Sequence, residues 1–333
     1  MSRVRVGLIG CGSMARAHIR QLLDVPEAEI VALTDCDPAQ IERTRSAFPR
    51  LSDLNVYEDY REMLAAEDLD AVEINTPHAQ HFDQVVKSLD VGLHVLCEKP
   101  LATTSADALT LINKLAVSGK VGAIGYQRHA TPVYQFIRNK IRSGEFGKVT
   151  YMSALLCQDW KRLTSGTWRQ DPALSGGGQL GDSGSHIVDV LLWVSGLAPQ
   201  VVTSVQDSRG TPVDIDSAVT VKFEGGAIGV LSIVGDFPMW HEDLTIACEK
   251  GGFLLRGGKL LVVSADGTKM IADHIPGGTN PDANFIQAIL GREEVLAPFS
   301  CGYDVMLLTE AAWKSASEGG APVSVAELNR PLN

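Results

Sequence analysis

The chain has 333 residues and a formal net charge of −11, with 29 Lys and Arg against 40 Asp and Glu. An acidic chain with only 6% aromatic residues lacks the basic surface and the stacking side chains of a nucleic-acid binder. No apolar run approaches the ~18 residues of a membrane span, and the first residues read as a strand rather than as a signal peptide. We therefore expect about two domains in a cytoplasmic protein that binds neither nucleic acid nor membrane. The six scattered cysteines lack zinc spacing, so we expect reduced thiols and no metal site.

Buried-strand patterns alternate with helical patterns through the first third of the chain. The sequence predicts strands over 4–9, 30–33, 71–74, 94–97 and 121–124, and helices over 14–23, 38–48, 77–89 and 106–117. Strands separated by helices of this length imply right-handed crossovers, which produce a parallel sheet covered by helices on both faces. The N-terminal domain is therefore predicted to be a doubly wound Rossmann sheet over residues 1–127.

The pattern changes after residue 127, where strand-like runs follow one another across short Gly- or Asp-containing turns. Predicted strands cover 149–156, 201–205, 218–223, 227–234, 244–247, 252–255 and 260–263, and predicted helices cover 133–142, 178–194, 281–290 and 305–317. This organisation is typical of an α+β domain with a large, mainly antiparallel open sheet. We assign residues 128–333 to it, for substrate binding and oligomerisation.

A glycine-rich motif follows the first predicted strand and begins the first predicted helix, and it reads Gly10-Cys11-Gly12-Ser13-Met14-Ala15. It fits the dinucleotide fingerprint, in which the first glycine permits the tight turn and the second lets the backbone approach a pyrophosphate. The small third position, here alanine, lets the helix pack closely on the strand. The helix N-terminus then offers N–H groups to the phosphates.

Asp35 ends the second predicted strand, 20 residues beyond Ala15. A carboxylate at this place accepts hydrogen bonds from the adenosine ribose and repels a 2′-phosphate. No arginine occupies positions 36 or 38, which favours NAD over NADP, although Arg43 and Arg45 could reach a phosphate from the following helix.

Two further motifs stand where parallel strands end, at the edge of the sheet where ligands bind. The first is Asn75-Thr76-Pro77 followed by His81, with Thr76 as a candidate helix N-cap and Pro77 at the first helical position. The second is Glu98-Lys99-Pro100. A lysine there brings a positive charge near the nicotinamide end of the cofactor, where it could stabilise an alkoxide.

Together these motifs resemble the Gfo/Idh/MocA oxidoreductase family, which includes inositol dehydrogenase and glucose–fructose oxidoreductase. The resemblance extends over nearly the whole chain, through Gly144–Lys148, Trp168-Arg169 and the glycines 176–178 to Asp182 and His186. It implies a nicotinamide-dependent dehydrogenase acting on CH–OH groups. We expect cofactor contacts at Gly10, Gly12, Ser13, Met14, Ala15, Asp35, Asn75, Thr76, Pro77, His81, Glu98, Lys99, Gln127, Trp168 and Arg169.

Asp182 and His186 are four residues apart in the helix predicted over 178–194, a spacing that brings two side chains together on one helix face. An aspartate beside a histidine favours the imidazolium and can fix its tautomer. In isolation such a pair is also common on protein surfaces. The resemblance implies that both residues are catalytic together with Lys99, with His186 as the base, Lys99 stabilising the alkoxide and Asp182 assisting.

The expected reaction is hydride transfer between a polyol or sugar hydroxyl and NAD. Arg169 with Tyr126, and Gln127 or Arg128, are expected to line the pocket. Three alternatives are an NAD(P)H-dependent reductase of a keto-sugar or other carbonyl compound, an NAD-dependent glycosidase and a non-catalytic dinucleotide-sensing regulator. The presence of Lys99, Asp182 and His186 favours an enzyme over a regulator. The apolar strands of the second domain, and the way relatives use that face, predict a homodimer or homotetramer.

Overall fold

The first part of the chain forms a parallel sheet whose strands are short and mostly buried on both faces. The computed structural model describes residues 3–272 and 275–328. The elements in chain order are β1 (Val4–Ile9), α1 (Ser13–Leu23), β2 (Ala28–Thr34), α2 (Pro38–Ala47), β3 (Asn55–Tyr57), α3 (Tyr60–Ala66), β4 (Ala71–Ile74), α4 (His81–Asp90), β5 (His94–Cys97), α5 (Ser105–Ser118) and β6 (Gly122–Ile124). The strand order is β3-β2-β1-β4-β5-β6, and all neighbours are parallel. The direction of winding reverses between β1 and β4, which makes their carboxyl ends the expected ligand site. The predicted doubly wound sheet is confirmed.

Two local predictions in this sheet are incomplete or wrong. The edge strand β3 and the helix α3 after it were not predicted, because Asn55–Tyr57 is partly polar and little buried. Thr76 is not an N-cap, since its hydroxyl donates to Oε1 of Gln84 at 2.5 Å. A 3-10 turn over His78–Gln80 follows Pro77, and α4 begins only at His81.

The second part of the chain contains the larger sheet. Its elements, together with one helix discussed below, are α6 (Pro132–Arg142), β7 (Val149–Cys157), α7 (Trp160–Leu163), α8 (Pro172–Ser175), α9 (Ser185–Ser195), β8 (Pro199–Asp207), β9 (Asp216–Phe223), β10 (Ile228–Val234), β11 (His241–Cys248), β12 (Gly251–Arg256), β13 (Lys259–Ser264), β14 (Lys269–Ala272), α10 (Pro281–Ile289), α11 (Phe299–Ser317), β15 (Val323–Ser324) and α12 (Val325–Leu328). The strand order is β14-β13-β12-β11-β7-β10-β9-β8-β15. Strands β7 and β10 run parallel, whereas the other described neighbours run antiparallel. The predicted mainly antiparallel sheet is confirmed.

The chain divides into two compact units, and the first includes a segment from late in the sequence. It comprises the residues up to Ala102, then Ala106–Ala130 and Thr279–Gly302, and the remainder forms the second unit. Helix α10 therefore belongs to the first unit, where Phe285 and Ile286 join the core formed with Ile19 and Leu22 of α1. A single boundary between residues 127 and 128 does not describe this division, because sequence order cannot indicate that a late helix packs on an early one.

Helix α11 begins six residues before its predicted start at 305. Gly302, in the first turn of this helix, lies against Leu101, where an added Cβ would stand 2.6 Å from the leucine Cβ. The glycine therefore serves close packing and does not end the helix. Across residues 3–272 and 275–328, no helix combines the length and the apolar character needed to cross a bilayer.

Candidate active site

Gly10 and Gly12 form the turn between β1 and α1, which we call the cofactor turn. Gly10 has φ +90°, and a Cβ on it would lie 2.8 Å from the carbonyl oxygen of Asn75. Its N–H donates to the Thr34 carbonyl at 2.8 Å, and Asn75 N–H donates to the Ile9 carbonyl at 2.7 Å. Only glycine fits here, because the backbone bends against the ends of both neighbouring strands.

The second glycine of the cofactor turn faces open space. A Cβ on Gly12 would meet no described atom within 4 Å, although its φ of −70° suits any residue. Helix α1 begins at Ser13, and within the described chain no side chain caps its N-terminus. Ser13 and Met14 are exposed, whereas Ala15 is fully buried. Uncapped N–H groups beside open space are the arrangement that binds a pyrophosphate, so this turn fits the cofactor.

Asp35 stands at the end of β2 beside the cofactor turn. Its Oδ2 accepts the N–H of Cys11 at 2.8 Å, and its Oδ1 accepts the N–H of Asp37 at 2.9 Å. The carboxylate is thereby oriented next to the glycine backbone, as ribose recognition requires. The guanidinium of Arg45 instead donates to the Leu54 carbonyl at 2.6 Å.

A buried histidine joins the loops that follow β4 and β5. His81 is fully buried, with Nδ1 2.7 Å from the Pro100 carbonyl oxygen and Nε2 2.9 Å from the Thr76 carbonyl oxygen. Burial lowers the pKa of His81, and a neutral ring can donate to one of these oxygens. His81 therefore joins the Pro100 loop to the end of β4, and the cofactor contact expected of it stays a prediction.

Lys99 is half-buried at the end of β5, next to the buried Glu98. Its N–H donates to Oε2 of Glu98 at 3.2 Å. A neighbouring donor comes from Asn75, whose buried Nδ2 has no acceptor among the described residues. The ends of β4 and β5 thus present a cation and an amide donor at the edge that carries the cofactor turn. Both groups have the chemistry that a dinucleotide site uses.

Asp182 and His186 do not share a helix face in the second unit, contrary to the sequence prediction. The helix predicted over 178–194 begins only at Ser185, so Asp182 lies in a turn and not on the same helix face as His186. His186 is half-buried in the first turn of α9. The carboxylate of Asp182 is buried, and its Oδ2 accepts from Trp160 Nε1 at 2.8 Å and from Arg169 Nε at 3.1 Å.

The segment over 176–184, which we call the Asp182 turn, is shaped by a carboxylate from elsewhere in the unit. Asp214 accepts the N–H of Gly178 at 2.9 Å, the N–H of Leu180 at 2.8 Å and the indole N–H of Trp313 at 3.0 Å. The Asp214 carboxylate and the indole of Trp313 thus fix the backbone of this turn from outside it. No sequence pattern indicates that Asp214 reaches this segment, so the later start of the helix could not be predicted.

The remaining predicted residues are divided between the two units. Trp168 and Arg169 lie in a 3-10 turn, where the guanidinium stacks 4.4 Å from the indole ring centre. Gln127 and Arg128 begin another 3-10 turn, in the first unit, and Tyr126 precedes them. The structure thus brings together Gly10, Gly12, Asp35 and Asn75 in one unit. In the other it joins Asp182 to Arg169 and to Trp160, which sequence reasoning missed.

A parallel sheet wound about β1, with an open glycine turn and a carboxylate at the end of β2, is the arrangement of a dinucleotide-binding domain. Residues 4–126 match the family described as "Oxidoreductase family, NAD-binding Rossmann fold", and residues 134–254 match the "GFO/IDH/MocA C-terminal domain". The chain belongs to the Gfo/Idh/MocA oxidoreductase family, and its first unit contains an NAD-binding Rossmann sheet.

Individual relatives agree with this assignment. The chain is 31% identical over 245 residues to the rhizopine catabolism protein MocA of Rhizobium meliloti, covering 72% of this chain and 73% of that protein. It is 26% identical over 260 residues to levoglucosan dehydrogenase of Pseudarthrobacter phenanthrenivorans, covering 69% and 67%. A levoglucosan dehydrogenase structure with NADH and levoglucosan has a TM-score of 0.85 at 21% identity, covering 97% of this chain and 100% of that one. The structural likeness supports the fold.

Proposed function

We propose that the protein transfers a hydride between a hydroxyl-bearing carbon of a sugar or polyol and NAD, with Lys99 and His186 as its catalytic residues. The observation that carries the proposal is Lys99 at the carboxyl end of β5, on the same sheet edge as the open cofactor turn. Relatives named as dehydrogenases of levoglucosan and of inositol support a polyhydroxylated substrate.

In the oxidative direction, His186 accepts the proton of the substrate hydroxyl, and NAD, when bound, supplies the hydride acceptor. Negative charge develops on the substrate oxygen as its proton leaves. The Lys99 ammonium stabilises that charge by a hydrogen bond that strengthens in the transition state. The oxygen becomes a carbonyl as the carbon loses its hydride. In the reverse direction His186 returns the proton.

Asp182 and Arg169 have a distinct role in this proposal. Both are in the second unit, where Nε of Arg169 lies 3.1 Å from Oδ2 of the buried Asp182. Opposite charges side by side can bind vicinal hydroxyl groups, because the carboxylate accepts hydrogen bonds and the guanidinium donates them. We therefore assign this pair to substrate orientation.

A screen of inositols, aldoses and aldonic acids for NAD⁺ reduction, repeated with NADP⁺, tests substrate class and cofactor together. With the best substrate, Lys99→Met is expected to lower kcat by about 10²–10³-fold while NADH affinity is retained. Lys120→Met is the matched control. Lys120 is also half-buried, but it precedes β6 and so lies at the amino ends of the strands, away from the carboxyl ends where Lys99 stands. Full turnover by Lys99→Met would refute the catalytic role.

We also propose a cytoplasmic homodimer or homotetramer assembled through the large sheet. Apolar side chains on that sheet remain exposed, among them Tyr151 at 40%, Ile228 at 51% and Ile271 at 63%. The cysteines form no disulfide in the described chain, which fits a reducing compartment. Light scattering that finds only monomer would reject the assembly.

A further inference from the structure

A buried charged cluster lies beneath the sheet edge of the first unit, outside the residues that the proposed reaction uses directly. His18 of α1 has Nε2 3.0 Å from Glu98 Oε1, and its Nδ1 is 2.9 and 3.0 Å from the two oxygens of Asp282 on α10. His18, Glu98 and Asp282 are 4%, 7% and 0% exposed. Charges this deeply buried are retained only when they are paired.

The geometry assigns His18 as an imidazolium. Each ring nitrogen faces a carboxylate, and a neutral ring has only one N–H to donate. Burial by itself would lower the pKa of His18, but the charge of Asp282 and the hydrogen bonds to Asp282 and Glu98 raise it well above the usual range. The His18 contacts also lower the pKa of Glu98 in spite of its burial.

A fourth group, Glu73 on β4, completes the cluster. Its side chain is buried, and within the described chain no donor reaches either of its oxygens. One of those oxygens, a ring nitrogen of His18 and an oxygen of Asp282 lie within 4.8 Å of one another. Burial and the Asp282 charge raise the pKa of Glu73. A protonated Glu73 can donate to Asp282, which removes both the unpaired charge and the missing hydrogen bond.

With Glu73 neutral, one imidazolium and two carboxylates leave a single net negative charge in the cluster. Glu98 links the cluster to Lys99, because its Oε2 accepts a hydrogen bond from the backbone N–H of Lys99 while its Oε1 contacts His18. Gly125 leaves the necessary room, since a Cβ there would lie 2.4 Å from Glu98 Oε1. The charges of Lys99 and His81 also lower the pKa of Glu98, whereas burial and the charge of Glu98 together raise the pKa of Cys97.

We propose that His18, Glu98 and Asp282 are positioning residues for Lys99, which fix its backbone and place a net negative charge beside it. This proposal rests on the catalytic role of Lys99 proposed above. The 2.9–3.0 Å separations suit hydrogen bonds. Ligands bound to one zinc ion at ~2.1 Å in tetrahedral geometry would stand farther apart, so the imidazolium itself is the cation of this site.

The first test uses Glu98→Gln, which keeps the shape of the side chain but removes its charge. We expect kcat to fall about tenfold or more, while NADH affinity and KM change little, because the substitution acts through Lys99. A fall confined to kcat, with KM and NADH affinity retained, distinguishes lost positioning of Lys99 from a damaged fold. Glu27→Gln is the control. It breaks an exposed ion pair with Arg292 at the amino-terminal edge of β2 and should leave kcat and KM unchanged.

A second measurement uses the unsubstituted protein, so it does not depend on a variant that folds. Nitrogen NMR of ¹⁵N-histidine-labelled protein should show His18 with both ring nitrogens protonated at neutral pH. A neutral His18 tautomer, a metal ion bound at His18, or a folded Glu98→Gln with wild-type kcat would each overturn the proposal. If Lys99→Met is inactive and Glu98→Gln is not impaired, this inference alone fails. If Lys99→Met is fully active, the proposed function fails first.

Discussion

The cofactor turn and the Asp182 turn are both rich in glycine and both precede a helix. The two turns differ in what surrounds their glycines. At Gly12 an added Cβ would meet nothing within 4 Å. In the Asp182 turn an added Cβ would stand 2.2 Å from the Trp313 ring at Gly177, and 1.9 Å from the Asp214 carbonyl oxygen at Gly178. One turn therefore leaves open space, as our proposed cofactor site requires, whereas the other is filled by the protein itself.

The difference teaches that a glycine motif indicates close approach without indicating what approaches. Gly10 illustrates the point within the cofactor turn, because it is required by the carbonyl of Asn75 and not by any ligand. Substitutions at the two turns should accordingly separate binding from stability. The following changes test that separation.

The largest effect is expected from Gly178→Ala. The new methyl group would overlap the Asp214 backbone and break the bonds that hold the Asp182 turn. We expect a loss of more than about 4 kcal/mol in the free energy of unfolding, since a backbone clash has no flexible side chain to yield. Urea denaturation followed by circular dichroism measures this loss. Near-wild-type stability would show that the turn is looser than described.

Gly12→Ala should weaken cofactor binding and leave the stability of the fold nearly unchanged. Its methyl group meets no described atom, so the stability of the free protein should be nearly unchanged. It would occupy the space that we propose for the pyrophosphate, so NADH affinity should fall by about a hundredfold. A hundredfold change corresponds to about 2.8 kcal/mol, since each ~1.4 kcal/mol changes an equilibrium tenfold. Fluorescence titration with NADH measures the affinity. Unchanged binding would contradict our assignment of the cofactor turn.

Asp214→Asn should have the smallest effect. The asparagine side chain keeps one oxygen acceptor, but its NH₂ group would face an N–H group that now donates to the carboxylate. Because that N–H group loses its acceptor, we expect about 1–3 kcal/mol of destabilisation. Burial raises the pKa of Asp214, although hydrogen bonds from Leu180, Gly178 and Trp313 oppose the shift.

The raised pKa of Asp214 gives this variant a pH signature. A carboxyl with a higher pKa in the folded chain stabilises the fold fully below its unfolded pKa, and this contribution is lost as the pH rises through the folded value. The deficit of Asp214→Asn relative to the wild type should therefore shrink from acid toward neutral pH in urea titrations. A deficit that grows with pH would mean that the pKa is lowered.

The predictable features were those that depend on residues close in sequence. The run Val4–Ile9, the glycines after it and Asp35 lie within one strand–helix–strand unit, so their pattern indicated both the sheet and its cofactor. The edge strand Lys269–Ala272 was missed because its residues are mostly exposed and show no buried face. The bonding of Asp182 to Trp160 and the contacts of His18 with Asp282 join distant segments, and periodicity carries no information about such pairs.

The return of α10 to the first unit affects how this enzyme can be recombined with its relatives. A fragment ending near residue 130 would lack Asp282, Phe285 and Ile286, and so would lose the partner of a buried imidazolium together with part of an apolar core. A chimera that exchanges the dinucleotide-binding unit therefore needs to carry the segment Thr279–Gly302 with it. The structural unit that must be exchanged is discontinuous in sequence. Crossover sites chosen from sequence order alone would therefore separate its early and late parts.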